Sequence, residues 1–286
     1  MRLLLCLFLL AGCGHTLSAG PTLLSETIWS SEAKDFGGFS GLELSDDGES
    51  FTTITDRGIS VTTGDFIRKN GVITGVANAQ TVSFPRPDGA LEKHWADSEG
   101  LAIAPDRTIY ISAEGPRHQV YEFPVGATKA IPLPRHPDFA NLQPNSSLEA
   151  LAIGPDGALY TIPERSGRMT RPFPVYRYKD GSWDIPFRIR REGEHLVSGA
   201  DVGPDNRLYI LERDFTGIGF KSRVRRFNLD GSGETTVLNT PNGTHDNLEG
   251  ISVWRDPEGH LRMTMISDDN FNFFQQTEIV EYQIDD

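Results

Sequence analysis

The sequence predicts an all-β fold, a five-bladed β-propeller with four antiparallel strands in each blade. Three observations lead to this prediction: one motif recurs five times, each copy is followed by further short β-rich runs, and amphipathic helical patterns are missing. Repetition of a four-stranded unit at this kind of period is typical of propeller blades.

Each copy of the motif predicts a β-hairpin, because two β-rich runs flank a turn of the Pro-Asp-Gly kind. The first strands begin at Phe39, Ser98, Leu148, Val197 and Leu248, and the second strands begin at Phe51, Ile109, Leu159, Leu208 and Leu261. Third strands are predicted from Val120, Val175 and Val224, and fourth strands from Ile131, Ile185 and Thr236.

The number of blades follows from the spacing of one small residue in each copy. Gly41, Gly100, Ala150, Gly199 and Gly250 are 59, 50, 49 and 51 residues apart. The two ends of the chain complete the fifth blade if a strand near 23–29 pairs with the strand around 278–282. The alternative of six blades would need two units in the interval of 59 residues, which is too short for them.

The N-terminus predicts export. Residues 3–11 are an apolar run too short to span a membrane, as in a signal peptide. Leu10-Ala11-Gly12-Cys13 resembles a bacterial lipobox, which implies cleavage before Cys13 and a lipid on its thiol. We therefore expect a signal peptide at 1–12, a tether at 13–20, a single domain at 21–286, and a lipid-anchored protein of the periplasm or outer membrane face. The alternative is an ordinary signal peptide ending at residue 19.

The composition narrows the function classes. The formal net charge of −13 disfavours binding to nucleic acid or to anionic lipid surfaces. Both cysteines, Cys6 and Cys13, lie in the leader, so the mature domain is expected to have no disulfide, thiolate metal site or thiol nucleophile. We expect a monomer that contacts the membrane only through its lipid.

Five residues at the starts of the innermost strands are predicted to form a ring at the mouth of the central channel. They are Ser40, Glu99, Glu149, Ser198 and Glu249. Three carboxylates facing one another would raise one another's pKa, and a bound cation removes that cost. Oxygen donors alone favour calcium over zinc, so one Ca²⁺ in the channel is predicted. The alternative is that these side chains bind water or neighbouring backbone groups.

A second set of polar residues ends the second strand of each hairpin and should lie on the same face. The set comprises Asp56, Arg57, Glu114, Glu164, Arg165, Glu212, Arg213 and Asp268, with His118 nearby as a candidate for proton transfer. The arginines would orient a small phosphoric or carboxylic ester, or another anionic ligand, above the metal. The alternative is a set of salt bridges that fasten neighbouring blades.

The order Ser, Glu, Glu, Ser, Glu in the ring resembles the calcium-activated apyrase propellers, which implies a central calcium. Motifs for nucleotide binding are not recognisable, so nucleotide hydrolysis is not implied. The repeats Phe39-Ser-Gly-Leu, Asp97-Ser-Glu-Gly-Leu-Ala, Ser147-Leu-Glu-Ala-Leu-Ala and Asn247-Leu-Glu-Gly-Ile, with Asp56-Arg57-Gly58, resemble the bacterial phytase-like family. This resemblance implies an esterase-like activity.

Two functions remain open at this point. The first is a calcium-dependent hydrolase of phosphoric or carboxylic esters that uses metal-activated water. The second is a non-catalytic envelope module in which calcium stiffens the ring and the loops bind a ligand or partner. Since no Gly-x-Ser-x-Gly motif occurs, an α/β-hydrolase esterase is not supported.

Overall fold

The computed structural model describes residues 20–33, 35–88, 96–115 and 117–286. These residues form five separate four-stranded antiparallel sheets arranged as the blades of a propeller. The five-bladed prediction is therefore confirmed. The predicted signal peptide, Cys13 and most of the tether lie outside the described residues.

The first two blades follow an N-terminal strand that belongs to blade 5. That strand is β1 (Thr22–Ile28). Blade 1 contains β2 (Phe39–Leu44), β3 (Ser50–Thr55), β4 (Ser60–Lys69) and β5 (Val72–Ser83). Blade 2 contains β6 (Asp97–Ile103), β7 (Ile109–Glu114), β8 (Gln119–Phe123) and β9 (Ile131–Pro132).

The other blades follow in chain order. Blade 3 contains β10 (Leu148–Ile153), β11 (Leu159–Pro163), β12 (Phe173–Lys179) and β13 (Ser182–Ile189). Blade 4 contains β14 (Leu196–Val202), β15 (Arg207–Phe215), β16 (Phe220–Asn228) and β17 (Thr235–Asn239). Blade 5 contains β18 (Leu248–Arg255), β19 (Leu261–Ser267) and β20 (Glu278–Ile284). A short 3-10 helix at Pro137–Asn141 precedes blade 3.

The ring closes as the spacing predicts. Strand β1 pairs with β20, with Glu26 opposite Val280 and Ile28 opposite Glu278, so the N-terminal strand is the outer strand of blade 5. The interval of 59 residues holds the two longest strands of blade 1 and the connection to blade 2. The six-bladed alternative is wrong for this reason.

The hydrophobic core is divided among the interfaces between neighbouring blades. Each of five buried clusters joins two adjacent sheets, for example Phe173 of blade 3 with Phe227 of blade 4. Burial on both faces explains why inner strands such as β10 are buried along almost their whole length. Within the described residues, no helix is long and apolar enough to cross a membrane.

Candidate functional site

The inner strands carry a β-bulge at the same position in all five blades. In each blade the register between the first and second strands shifts by one residue, and the residue left without a partner is the predicted ring residue. These residues are Ser40, Glu99, Glu149, Ser198 and Glu249, which we call the inner ring. A bulge bends the strand and redirects its extra side chain. The bulges therefore aim these five side chains toward the channel mouth.

The small residue after each inner-ring position is explained by the approach of the neighbouring blade. A Cβ atom on Gly100 would lie 2.6 Å from the backbone nitrogen of Leu151, and one on Gly250 would lie 2.9 Å from the carbonyl carbon of Gly41. Contacts this close to backbone atoms leave no room for a side chain. Glycine thus allows the inner strands to pack tightly around the channel.

The register of the hairpins defines a second tier, which we call the outer ring. Its members directly follow the residue that pairs with the start of each bulge. They are Asp56, Glu114, Glu164, Arg213 and Asp268. Sequence reasoning placed Glu212 among the acids of this face, but Glu212 pairs with Val197 and Arg213 takes the outer-ring position. The two rings together hold seven carboxylates around one guanidinium group.

Three of these carboxylates come together on the side of blades 2 and 3. Oxygen atoms of Glu99, Glu114 and Glu149 lie within 4.8 Å of one another. A hydrogen bond holds Glu114 in place, because its Oε1 accepts from the backbone nitrogen of Ser147. A cavity of about 10 Å³ lies between the inner strands and is lined in part by Glu99 and Glu249. This volume is about enough for one water molecule.

Arg213 neutralises the opposite side of the rings. Its guanidinium contacts Glu249 of blade 5 and lies 3.4 Å from both Glu149 and Glu164 of blade 3. Asn247 supports this arrangement: its Oδ1 accepts from Arg213 at 2.6 Å, and its Nδ2 donates to Glu249 at 2.8 Å. One side chain therefore links blades 3, 4 and 5.

The electrostatics reflect an excess of buried negative charge. Burial, and then the neighbouring carboxylates, raise the pKa of Glu99 and of Glu149 well above the usual range. Burial and Glu249 raise the pKa of Asp268 to about 8 and that of Asp56 to about 6. The pKa values of Glu114 and Glu249 are also raised, chiefly by burial.

The same carboxylates stabilise the charged form of Arg213. Burial alone would lower the pKa of its guanidinium, but the charges of Glu249, Glu149 and Glu164 outweigh burial and raise it. Arg213 is therefore a permanent cation among acids of which most have raised pKa values. Neighbouring carboxylates repel one another, and a proton relieves that repulsion only by neutralising a carboxylate. A bound cation would relieve the same repulsion while the carboxylates stay ionised.

The two serines of the inner ring make contacts between blades. Ser40 Oγ donates to the carbonyl oxygen of Ser98 at 2.5 Å, and Ser198 Oγ donates to that of Leu248 at 3.0 Å. Both hydroxyl groups therefore bind backbone of the neighbouring blade. For these two residues the contacts are those of the alternative interpretation, in which the ring side chains bind neighbouring backbone groups. The glutamates of the inner ring behave differently: Glu99 and Glu149 lie close to Glu114, and Glu149 and Glu249 contact Arg213.

Two of the predicted site residues lie elsewhere. Glu212 is fully buried and accepts hydrogen bonds from Arg223 and Arg225 of the adjacent strand. Since Arg213 points to the rings, its neighbour in the strand points to the other face of the sheet. His118 is buried beside Arg135, which donates to its carbonyl oxygen at 3.1 Å; burial and this charge lower the His118 pKa. The geometry does not bring either residue into the rings.

The remaining predicted arginines lie at the exposed rim. Arg57 stacks over the ring of Phe271, 3.1 Å from its centroid, and Arg165 donates to Ser146 at 3.1 Å and to Glu164 at 3.2 Å.

One acid near the rings, Asp97, was not among the site residues predicted from the sequence. Its charge raises the pKa of Asp56 and of Glu114. Its position two residues before Glu99 was the available signal.

The described residues fit a hard cation. The donor set is entirely oxygen, as calcium prefers, and imidazole and thiolate ligands are not part of the rings. Oδ1 of Asp56 is buried and has no hydrogen-bond partner among the described residues, which leaves an oxygen available to a ligand. Residues Glu99, Glu114 and Glu149 are the best-placed group to hold the ion.

Solved structures support the fold. The catalytic domain of a GH62 α-L-arabinofuranosidase from Coprinopsis cinerea has 11% identity and a TM-score of 0.56, over 94% of this chain and 98% of that one. An α-L-arabinofuranosidase from Podospora anserina has 12% identity and a TM-score of 0.52, over 93% and 98%. A gluconolactonase from Xanthomonas campestris has 14% identity and a TM-score of 0.50, over 86% and 72%. Identities this low indicate a shared fold and leave the reaction open.

Comparison with curated proteins gives no significant match. The sequence model of one family, described as phytase-like with the esterase-like activity of phytase, matches residues 34–271. This match covers most of the chain and includes every residue of both rings. The chain therefore belongs to the phytase-like family of β-propellers.

Proposed function

We propose that the protein is a calcium-dependent hydrolase of phosphoric or carboxylic esters. The observation that carries this proposal is the group of three carboxylates, Glu99, Glu114 and Glu149, whose oxygens converge within 4.8 Å at the channel mouth. Membership in a family described by an esterase-like activity supports it. Calcium bound at the mouth would supply a charge that polarises an ester oxygen and favours attack by water.

The protein's own residues have separable roles in this proposal. Asp56 and Asp268 both face Glu249, yet their pKa values differ, at about 6 and about 8. Pairs of acids held at different pKa values are suited to act as base and acid in one reaction. We assign proton acceptance to the Asp56 carboxylate and proton donation to the Asp268 carboxyl group.

The rim arginines would bind the anionic part of the substrate. Arg57 and Arg165 are exposed, and their guanidinium groups carry donors in a planar fork that matches phosphate and carboxylate oxygens. Because Arg213 is engaged with three glutamates, we assign it to the stability of the site.

The test is an ester panel on purified full-length protein. Chromogenic phosphoric and carboxylic esters are assayed with calcium and with chelator, for wild type, Glu149→Gln and Glu258→Gln. The control residue Glu258 is exposed in the turn between β18 and β19, at the end of that hairpin opposite the rings. We expect hydrolysis that requires calcium and is reduced at least about 100-fold in Glu149→Gln, as for loss of a key electrostatic group. Hydrolysis that ignores chelator would overturn the proposal.

A second candidate function has its own supporting observation. The salt bridges from Arg213 to Glu149, Glu164 and Glu249 fasten three blades, as a structural element would. The protein would then be a non-catalytic envelope module stiffened by calcium. In that case calcium raises the thermal stability of the wild type while every ester in the panel stays intact.

We further propose that the protein is exported and lipid-anchored. Support comes from the apolar run at 3–11 followed by Leu10-Ala11-Gly12-Cys13. In a bacterial host, wild-type protein should partition into the detergent phase, and Cys13→Ala should release it in soluble form. Soluble wild-type protein beginning at Gly20 would favour the ordinary signal peptide.

A further inference from the structure

A second group of metal-ligating side chains lies on the outside of blade 5, away from both rings. It consists of Glu26 on β1, Glu278 on β20 and His245 in the connection from β17 to β18. One ligand atom from each of the three lies within 4.8 Å of the other two. This group joins the strand that closes the propeller, its pairing partner and a loop from the preceding blade.

The sheet register places the two carboxylates side by side. Glu26 is opposite Val280 and Glu278 is opposite Ile28, so the two acids are two positions apart on neighbouring strands. Residues two apart along a strand share a face, and diagonal neighbours are within reach of long side chains. His245 Nδ1 approaches this pair, at 3.1 Å from Glu278 Oε1 and 3.8 Å from Glu26 Oε2.

We propose that Glu26, His245 and Glu278 bind a zinc ion, with His245 Nδ1 as the nitrogen ligand. Zinc takes nitrogen and oxygen ligands at about 2.0–2.1 Å in a tetrahedron, which separates the ligand atoms by roughly 3.4 Å. The two Nδ1–oxygen distances of 3.1 and 3.8 Å lie on either side of that value.

The surrounding contacts are those that orient zinc ligands. His245 Nε2 lies 2.6 Å from the hydroxyl oxygen of Tyr282. If Nε2–H donates to that oxygen, Nδ1 keeps its lone pair toward the carboxylates. Glu278 Oε2 accepts from the backbone nitrogen of Asp246 at 2.9 Å, which leaves Oε1 for the metal. Such outer contacts fix the tautomer and the direction of ligands.

Access and ligand type also favour zinc. The side chain of His245 is fully buried, whereas that of Glu26 is 48% exposed, so an ion and a fourth ligand from solvent can reach the site. An imidazole ligand suits zinc and other transition metals rather than calcium or magnesium. The competing arrangement without metal is a hydrogen bond from His245 Nδ1–H to Glu278 Oε1, with His245 Nε2 accepting from the Tyr282 hydroxyl.

Zinc at this position would tie the N-terminal strand to the final blade. A metal that binds only the folded chain adds its binding free energy to stability. We therefore expect zinc to raise the melting temperature, and the rise should require Glu26. This inference does not depend on the proposed hydrolase activity.

The experiment compares wild type, Glu26→Gln and Glu32→Gln as full-length protein. Samples are stripped with chelator, saturated with calcium so that the rings are occupied, exposed to zinc and freed of loosely bound ion by gel filtration. Bound zinc per chain and melting temperature are then measured. Glu32 is an exposed acid just beyond β1 and serves as the matched control.

We expect wild type and Glu32→Gln to retain one more zinc per chain than Glu26→Gln, and only these two to gain stability from zinc. Equal zinc in wild type and Glu26→Gln, or none in wild type, would overturn the proposal. His245→Gln, checked for folding by circular dichroism, should likewise lose the ion. Retention of zinc by that folded variant would also overturn the assignment of Nδ1.

Discussion

The two ends of the central channel are both acidic, yet they handle their negative charge differently. At the ring end, seven carboxylates surround Arg213, and three of them belong to inner-strand residues displaced by bulges. The opposite end is a cavity of about 380 Å³ lined by the far ends of the inner strands, where Glu43 and Asp201 face each other. There the strands pair without interruption, with Glu43 opposite Thr52 and Asp201 opposite Tyr209.

This difference indicates how much buried negative charge the propeller channel can hold without a cation. Burial and Asp201 raise the pKa of Glu43, and burial raises the pKa of Asp201 to about 6. Two such acids lose their repulsion when one takes up a proton. Seven carboxylates need fixed positive charge, which Arg213 supplies on one side and which we propose calcium supplies on the other.

Removal of Arg213 should give the largest effect and tests this contrast directly. In chelator, Arg213→Met should lose about 3–5 kcal/mol of unfolding free energy, because buried carboxylates lose their partner. Calcium should recover much of that loss, since the ion replaces the missing charge. Chemical denaturation with and without calcium measures both.

Arg213→Lys is the control for that experiment, because it keeps the charge and removes the planar fork. We expect a smaller loss than for Arg213→Met. An equal loss for Arg213→Met in calcium and in chelator would mean that the arginine acts by packing, and the contrast between the two ends would fail.

Glu212→Gln should separate the structural ion pairs of blade 4 from the site. Arg223 and Arg225 would each lose a buried partner, at a cost toward the lower end of about 3–5 kcal/mol, because Glu192 and Glu234 still pair with them. The loss should be the same with and without calcium. Glu234→Gln, at the exposed side of Arg225, should cost less than about 1 kcal/mol.

Calcium itself should stabilise only through the ring end. At a concentration 100 times its dissociation constant, calcium should add about 2.7 kcal/mol to the unfolding free energy of wild type. Thermal denaturation should show this gain in Glu258→Gln and a much smaller one in Glu149→Gln. Identical gains in all three proteins would place the ion elsewhere.

Asp201→Asn should give the smallest effect, at the opposite end. Because the folded-state pKa of Asp201 is raised to about 6, its contribution favours folding below the unfolded pKa near 4 and is lost as pH rises through 6. The variant lacks this loss. It should be more stable than wild type by about 1–2 kcal/mol at pH 8, after allowance for a weaker hydrogen bond to the Val253 nitrogen.

The pH 4 measurement is the control for Asp201→Asn, because the carboxyl group is then protonated in the folded state and about half protonated in the unfolded state, so most of the loss is absent. There the variant should be no more stable than wild type. Stabilisation of the same size at both pH values would show that repulsion is not the cause, and the two ends would then differ less than we infer.

Much of the fold and part of the site could be predicted because each blade repeats one local pattern. The spacing of Gly41, Gly100, Ala150, Gly199 and Gly250 predicts the number of blades, and a hairpin necessarily brings its two ends together. The same reasoning places the inner-ring residues at equivalent positions. It could not predict the bulges, because the inner strands are buried on both faces and carry no alternation of apolar and polar residues that an unpaired residue would interrupt.

The number of blades, the closure of the ring by β1 and the acidic character of one channel mouth follow from the sequence alone. These features depend on repeat length and on residue order, which tertiary contacts do not alter. The tertiary structure was needed to place Arg213, rather than Glu212, in the rings, since a shift of one residue reverses the face of a strand. It also brought together Glu26, His245 and Glu278, which are far apart in sequence and meet only because the propeller closes.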